Sequence, residues 1–424
     1  MTPDIVKIHV PRQIDEADHV SMSSSSSSTP PVPFQHVATI TVIEELNRLE
    51  DVIKQQYQSS LNHSESCPVY GWDDVIIDSV LGEGAFSFVF QVQINNGNDQ
   101  EEQQQLHALK CLKAKAIHTA DDLLFNALDL QNEAQILARV QHPHIIRLHG
   151  LCQGALGDAF RSVDGYFLLL EIMETTLSEK MTQWRREMEM ESKARKKQLR
   201  SRDEVERRIL DVAIPAVSAL DYLHSHQIVL RDLKPENIGF DARGQVKLFD
   251  FGLARLVHTI QPEDIAGSIC YMAPEILLGQ GTQLASDVYS VTMVLWELCT
   301  MELPMARFDT MEQVKQRVAK GKWRPSLYHI PSGDLRHHIR KGWASNPANR
   351  PTAPQLFQAL RQICGMEDPD NDANDSIHTH SSAQSLPVPA VHEDKDRPRQ
   401  TRRAMSFQSV ASPRLLFRKK RLFF

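Results

Sequence analysis

Four stretches of this chain gather groups able to do chemistry. Leu81-Gly82-Glu83-Gly84-Ala85-Phe86-Ser87-Phe88-Val89 sets two glycines between runs that read as strands. Glycines let backbone N–H groups approach phosphates without a clashing Cβ, although a glycine pair in a hairpin is more often a plain turn. Ala108-Leu109-Lys110 places a lysine among apolar neighbours, and burying an ammonium is costly unless an anion meets it. Glu133, on the next helical stretch, is a candidate anion, with two solvated side chains as the plainer alternative. Leu230-Arg231-Asp232-Leu233-Lys234-Pro235-Glu236-Asn237 collects acid, base and amide groups, and Asp250-Phe251-Gly252 begins 18 residues after Asp232. No strand–glycine–helix order follows the glycine pair and no Walker pattern is present, which disfavours dinucleotide and P-loop sites.

Elements able to position these groups are readable around them. Val75–Leu81, Phe88–Val92 and Leu106–Leu112 read as strands, with a polar turn between the second and third. Residues 121–141 have helical periodicity, and Gly165–Met173 holds a nearly continuous apolar run that suits a buried strand. Helical patterns dominate from there to Cys364, apart from hairpin-like stretches around 228–250. Strands first and helices after predict an α+β chain with two lobes. Ahead of this unit, Ile40, Ile43, Leu46, Ile53 and Tyr57 fall near helical spacing. They predict an amphipathic helix docked on the two-lobed unit, with a short coiled coil as the alternative.

Composition narrows the setting. The chain has 424 residues and a formal charge of −7, with 41% hydrophobic and 24% charged residues, enough for a sizeable core. Six scattered cysteines without a C-x-x-C pattern argue against a disulfide framework and a standard zinc module. Asp4 and Lys7 interrupt any secretory leader, and the most apolar stretch, Val288 to Cys299, is too short to span a bilayer. Nine Lys or Arg and no acidic residue lie between Arg397 and Phe424, leaving the first 396 residues at a formal −16. An acidic body argues against nucleic acid as a partner. Residues 1–38, with the Ser23–Ser28 run and Pro30, Pro31 and Pro33, are expected to be disordered, as is 365–424, acidic and then basic.

Taken in order, Gly82-x-Gly84, Lys110, Arg231-Asp232 through Asn237, Asp250-Phe251-Gly252 and Ala273-Pro274-Glu275 resemble the eukaryotic protein kinases over residues ~74–364. The resemblance implies a two-lobed kinase fold, with a small strand-rich N-lobe over 72–171 and a larger helical C-lobe over 172–364. A helix and linker over 39–71 would precede it. It implies ATP and Mg²⁺ as cofactors. Leu81, Gly82 and Gly84 would cover the nucleotide, with Val89 and Ala108 as the roof over adenine. Leu170 would be the gatekeeper before a hinge of Glu171, Ile172 and Met173 whose backbone meets the base. Lys110 would hold the α and β phosphates and pair with Glu133, while Asn237 and Asp250 would bind the metal. Asp232 would accept the substrate hydroxyl proton, and Lys234 would neutralise the transferring phosphoryl group.

Lys234 and Gly267-Ser268 resemble serine/threonine kinases, so proteins with Ser or Thr acceptors are the expected substrates. Asp287-Val288-Tyr289-Ser290, Leu295-Trp296-Glu297-Leu298, and Trp343 through Asn346-Pro347 to Arg350-Pro351-Thr352 resemble the tyrosine-kinase-like group of these enzymes. Three departures stand out. Leu230 replaces a usual histidine, Ser87 a usual glycine, and Gly239 a bulky residue beneath the adenine, which predicts weaker ATP binding. They sustain one rival, a pseudokinase acting as a signalling scaffold. Asp264, at a usual phosphosite, is expected to pair with Arg231 through its carboxylate, with Thr259 and Ser268 as remaining phosphosites. The basic tail is expected to dock an acidic partner or an anionic membrane, and the location to be cytoplasmic or also nuclear.

Overall fold

Alternating apolar side chains build the first half of the fold. The computed structural model describes residues 40–60, 67–95, 105–113, 117–159, 165–190, 201–262, 264–308, 310–320, 322–366 and 421–423. The expectations for 1–38 and for most of 365–424 lie outside the described residues.

Helix α1 (Ile40–Ser60) leads into strands β1 (Val69–Tyr70), β2 (Val75–Glu83), β3 (Ser87–Ile94) and β4 (Leu106–Leu112). Helix α2 (Ala120–Leu137), strand β5 (Leu148–Cys152), the short α3 (Leu156–Ala159) and β6 (Phe167–Leu170) complete this lobe. The six strands form one sheet in the order β1-β5-β6-β4-β3-β2, all neighbours antiparallel except β1 with β5. β6 is buried along its whole length because it lies between β5 and β4, which explains its unbroken Phe-Leu-Leu-Leu run. Sequence reading missed β5, whose Leu-His-Gly-Leu-Cys carries too short an alternation to stand out.

Thr119 starts α2: its hydroxyl accepts from Asp122 N–H while the Asp122 carboxylate accepts from Thr119 N–H, both at 3.1 Å. The helix ends at Leu137, short of the 141 expected, because Arg139 and the turn after it lead into β5. Thirteen of its eighteen residues are buried, including Gln131, Asn132 and Glu133. A helix buried over most of its surface needs cover there, and each buried polar group on it needs a partner.

The second lobe is helical. It comprises β7 (Thr175–Thr176), α4 (Leu177–Met190), α5 (Arg202–Arg208), a π-helical turn over Ile209–Ala213, α6 (Ile214–Ser225) and β8 (Ile228–Val229). Next come β9 (Ile238–Phe240), β10 (Val246–Leu248), β11 (Arg255–Leu256), β12 (Ala266–Ser268), α7 (Pro274–Leu277) and α8 (Leu284–Thr300). The domain closes with α9 (Met311–Val314), α10 (Gly333–Gly342) and α11 (Ala353–Ile363). Helix α8 is buried from Ser286 to Thr300 and is the centre of this lobe. A last strand, β13 (Arg421–Phe423), runs parallel to β12 with Gly267 opposite Leu422, an element the basic tail gave no sign of. Among the described residues no helix is long and apolar enough to cross a membrane.

Candidate active site

Strand geometry aims Lys110 at the space between the lobes. Ala108 and Lys110 sit two apart on β4 and so share a face, with Val89 of β3 opposite Lys110. The Lys110 ammonium donates to Glu133 Oε2 and to Asp250 Oδ1, both at 2.7 Å. Burial works against its charge, but Asp250 and Glu133 outweigh that cost, and its pKa is raised above the lysine value. Lys110 in turn holds the Asp250 carboxyl below its usual range. Glu133 is 1% exposed and accepts a second bond from Phe251 N–H at 3.1 Å. A helix from the first lobe is thereby tied to the segment that carries Asp250.

The loop between β8 and β9 holds the second group. Asp232 accepts from Ser268 N–H at 2.7 Å through one oxygen, and from Lys234 Nζ at 2.8 Å through the other. Lys234 also donates to the Ser268 hydroxyl at 2.8 Å. The Asn237 amide donates to the Asp232 carbonyl at 2.8 Å and to its carboxylate at 3.2 Å, so its N–H edge is committed and its oxygen edge faces away. Beneath them Asp287, buried in α8, accepts from Leu230 N–H at 2.8 Å, Arg231 N–H at 2.9 Å and His224 Nε2 at 3.1 Å. Arg231 adopts φ 70° and Asp250 φ 63°, left-handed conformations that turn the loop and swing the Asp250 carboxylate into the cleft. Sequence reading noted Asp287 without a role; only the fold places it under the loop.

Gly84, Ser87, Lys110, Glu133, Asp232, Lys234, Asp250 and Gly252 line one cavity of about 290 Å³. Gly82 and Gly84 are in or beside the β2–β3 hairpin above it, and Gly84 N–H donates to the Ser87 carbonyl at 2.8 Å. The Ser87 hydroxyl lies against Gly84, 2.9 Å from where a Cβ on residue 84 would stand, so a side chain there would crowd it. Leu81 is 41% exposed at the edge of β2.

At the back, Leu170 pairs with Ala108 and Leu148 in the sheet. Glu171 is tied back to Arg147 by two main-chain N–H bonds, at 3.0 and 3.2 Å, and to Lys247 at 3.1 Å. Its side chain is therefore committed elsewhere. The space expected below Gly239 is filled. A Cβ there would lie 2.8 Å from Met173 Cγ and Sδ and 3.1 Å from the Phe249 ring. Leu230, Leu137, Leu148 and Phe251 are all buried in the shared core, so leucine serves in place of the usual histidine.

Two expectations about the activation segment, Asp250 to Glu275, need correction. Arg231 Nη2 donates to the main-chain carbonyl of Asp264 at 2.9 Å, while the Asp264 carboxylate accepts from Gln261 N–H at 3.0 Å. The turn takes one carboxylate oxygen, the other makes no hydrogen bond, and the arginine meets the carbonyl. Ser268 is 8% exposed and bonded to Lys234, a poor position for a modifying enzyme to reach.

These donors suit Mg²⁺. Asp250 opens to the cleft with 45% of its side chain exposed, and the Asn237 oxygen edge is uncommitted. Among the described residues no cluster of three or more His, Cys, Asp or Glu could hold a metal alone. Mg²⁺ commonly binds through one or two protein oxygens, with phosphates and water completing its octahedron.

The protein kinase domain family matches residues 76–360. Human ribosomal protein S6 kinase alpha-3 is 30% identical over 273 residues, covering 64% of this chain and 32% of that protein. Human ribosomal protein S6 kinase alpha-6 is 31% identical over 275 residues, covering 64% and 32%. Ribosomal protein S6 kinase 2 alpha of Xenopus laevis is 28% identical over 303 residues, covering 71% and 37%. The chain spans about a third of the length of these relatives. They point away from the tyrosine-kinase-like group. Of the letters that suggested it, Asp287–Ser290 and Leu295–Leu298 are all buried in α8, where packing governs residue choice.

Proposed function

We propose, from the premise that this chain belongs to the protein kinase family, that it is a serine/threonine kinase transferring the γ-phosphate of ATP to protein hydroxyls. Kinases of this family use ATP with Mg²⁺. The observation that carries the reading is the convergence of Lys110, Asp232, Lys234 and Asp250 on one cavity with the glycine turn above it. Phosphoryl transfer asks the protein mainly for positioning and charge compensation, which this cluster supplies.

In this reading Lys110, held by Glu133, binds the α and β phosphates under Gly82 and Gly84. Asp250 and Asn237 would hold Mg²⁺, which would supply charge neutralisation on the phosphates. Asp232 orients the acceptor hydroxyl and takes its proton, and Lys234, already beside Asp232, meets the phosphoryl group in flight. Ser268 fixes both from the activation segment. Val89 and Ala108 cover the adenine, Leu81 closes its edge, and the Glu171 carbonyl and Met173 backbone meet it. The Met173 side chain supplies the floor that Gly239 lacks. Met173→Ala should therefore weaken ATP binding about tenfold, near 1.4 kcal/mol of lost apolar contact, measured by nucleotide titration. The complete constellation weighs against a scaffold-only pseudokinase. A cytoplasmic site of action, with nuclear entry as the alternative, belongs to the same proposal, as does docking of the basic tail on an acidic partner or membrane.

Incubation with γ-labelled ATP, Mg²⁺ and a basic acceptor protein, followed by phosphoamino-acid analysis, tests the reading. Label on serine or threonine supports it. Label on tyrosine alone, or none while nucleotide still binds, refutes it.

A further inference from the structure

Helix α1 lies outside the cleft, yet its buried face is wired to the parts that shape it. Leu46, Leu49 and Tyr57 are buried in the shared core. Asn47 Oδ1 accepts from Gly157 N–H and Glu50 Oε2 from Leu156 N–H, both at 2.7 Å, so α3 is clamped on α1. Gly157 makes the seat possible, because a Cβ there would collide with the Ile43 carbonyl and the Asn47 amide. On the other side Gln131 of α2 donates to Glu50 at 3.3 Å.

Tyr57 continues the chain toward the cleft. Its hydroxyl donates to Asn132 Oδ1. Burial pushes the phenol up to about 12, so it remains a donor at neutral pH. Asn132 Nδ2 donates to the Ala254 carbonyl at 2.7 Å, just after Asp250-Phe251-Gly252. The same carbonyl accepts from Arg255 Nη1 at 2.7 Å, and Arg255 Nη2 pairs with Asp129 of α2 at 2.8 Å. The residue after Asn132 is Glu133, the anion that holds Lys110.

We propose that α1 is a built-in positioning element for phosphoryl transfer, and that Tyr57 and Asn132 are positioning residues linking it to Glu133 and the activation segment. The proposal rests on the kinase reading. Gln131 and Asn132 sit on the face of α2 that α1 covers, and both lose a buried partner if α1 lifts. Unpartnered buried amides favour a turned or displaced α2, which carries Glu133 away from Lys110.

The test uses the full chain with three variants. Tyr57→Phe removes one hydroxyl, Gly157→Ala unseats α1 from α3, and Arg48→Ala alters the exposed face of α1 as a control. Tyr57→Phe and Gly157→Ala should each lower kcat at least about fivefold, the lower end of couplings usual between linked sites. Amide exchange within 120–137 and 250–260 should quicken, while most of the chain stays folded and the control matches wild type. Wild-type kcat in both variants, or a loss no larger than the unfolded fraction, overturns the proposal alone. An inactive wild-type chain overturns the kinase reading and this proposal with it.

Discussion

Asp232→Asn should lower kcat by roughly 10²–10⁴-fold, the contribution expected of a positioned acid–base group. The substitution keeps the size and shape of the side chain. It replaces one carboxylate oxygen with an amide nitrogen, which must face either the Ser268 N–H or the Lys234 ammonium, each at present a donor to Asp232. Proton acceptance and the orientation of the acceptor hydroxyl are lost together. Nucleotide binding should change little, since Lys110, Asp250 and the glycine turn are untouched. Steady-state phosphorylation paired with nucleotide titration separates the two effects. A variant keeping more than about a tenth of the wild-type rate would show that Asp232 is not the general base.

Arg350→Met should destabilise the folded chain by about 3–5 kcal/mol, because it strands a buried carboxylate. The Arg350 guanidinium meets both Glu275 oxygens at 2.7 Å, and the two side chains are 0% and 4% exposed. It also donates to the Ala344 and Ala285 carbonyls, at 2.9 and 2.8 Å, and stacks 5.2 Å from the Tyr289 ring. After the change the Ser286 hydroxyl still donates to the Glu275 carboxylate, at 2.7 Å, but the bidentate guanidinium is gone. Urea unfolding of the single variant, compared with Glu275→Met combined with Arg350→Met, isolates the cause. The double variant should recover much of the loss, because two apolar groups leave no stranded charge. A single-variant cost below about 1 kcal/mol would place this pair among ordinary surface bridges. Glu275 opens α7, just after the segment holding Ser268, so destabilisation here should also lower phosphorylation.

Much of the site was legible because its groups sit in short stretches with characteristic spacing. Asp232, Lys234 and Asn237 share one loop, and their mutual bonds follow from it. The strands flanking Gly82 and Gly84 were visible from alternation, and Leu106–Leu112 has the bounds expected. What stayed hidden depends on contacts remote in sequence. Met173 beneath Gly239 joins positions 66 apart, and no local pattern announces that a methionine fills the place of a missing bulky residue. Asp264 looked like an arginine partner by position, but its carboxylate was nearer its own turn. The periodicity of α1 was plain. Its route through Tyr57 and Asn132 to Ala254 was not, since that chain spans almost 200 residues.

A crystal structure with a non-hydrolysable ATP analogue, a divalent metal and a serine peptide tests the central claim most directly. The account predicts the metal about 2.1 Å from oxygens of Asp250 and Asn237. It also predicts the Lys110 ammonium on the α and β phosphates, and the peptide hydroxyl within hydrogen-bond reach of Asp232. A nucleotide seated elsewhere, or phosphates pointing away from Asp250 and Asp232, would contradict it.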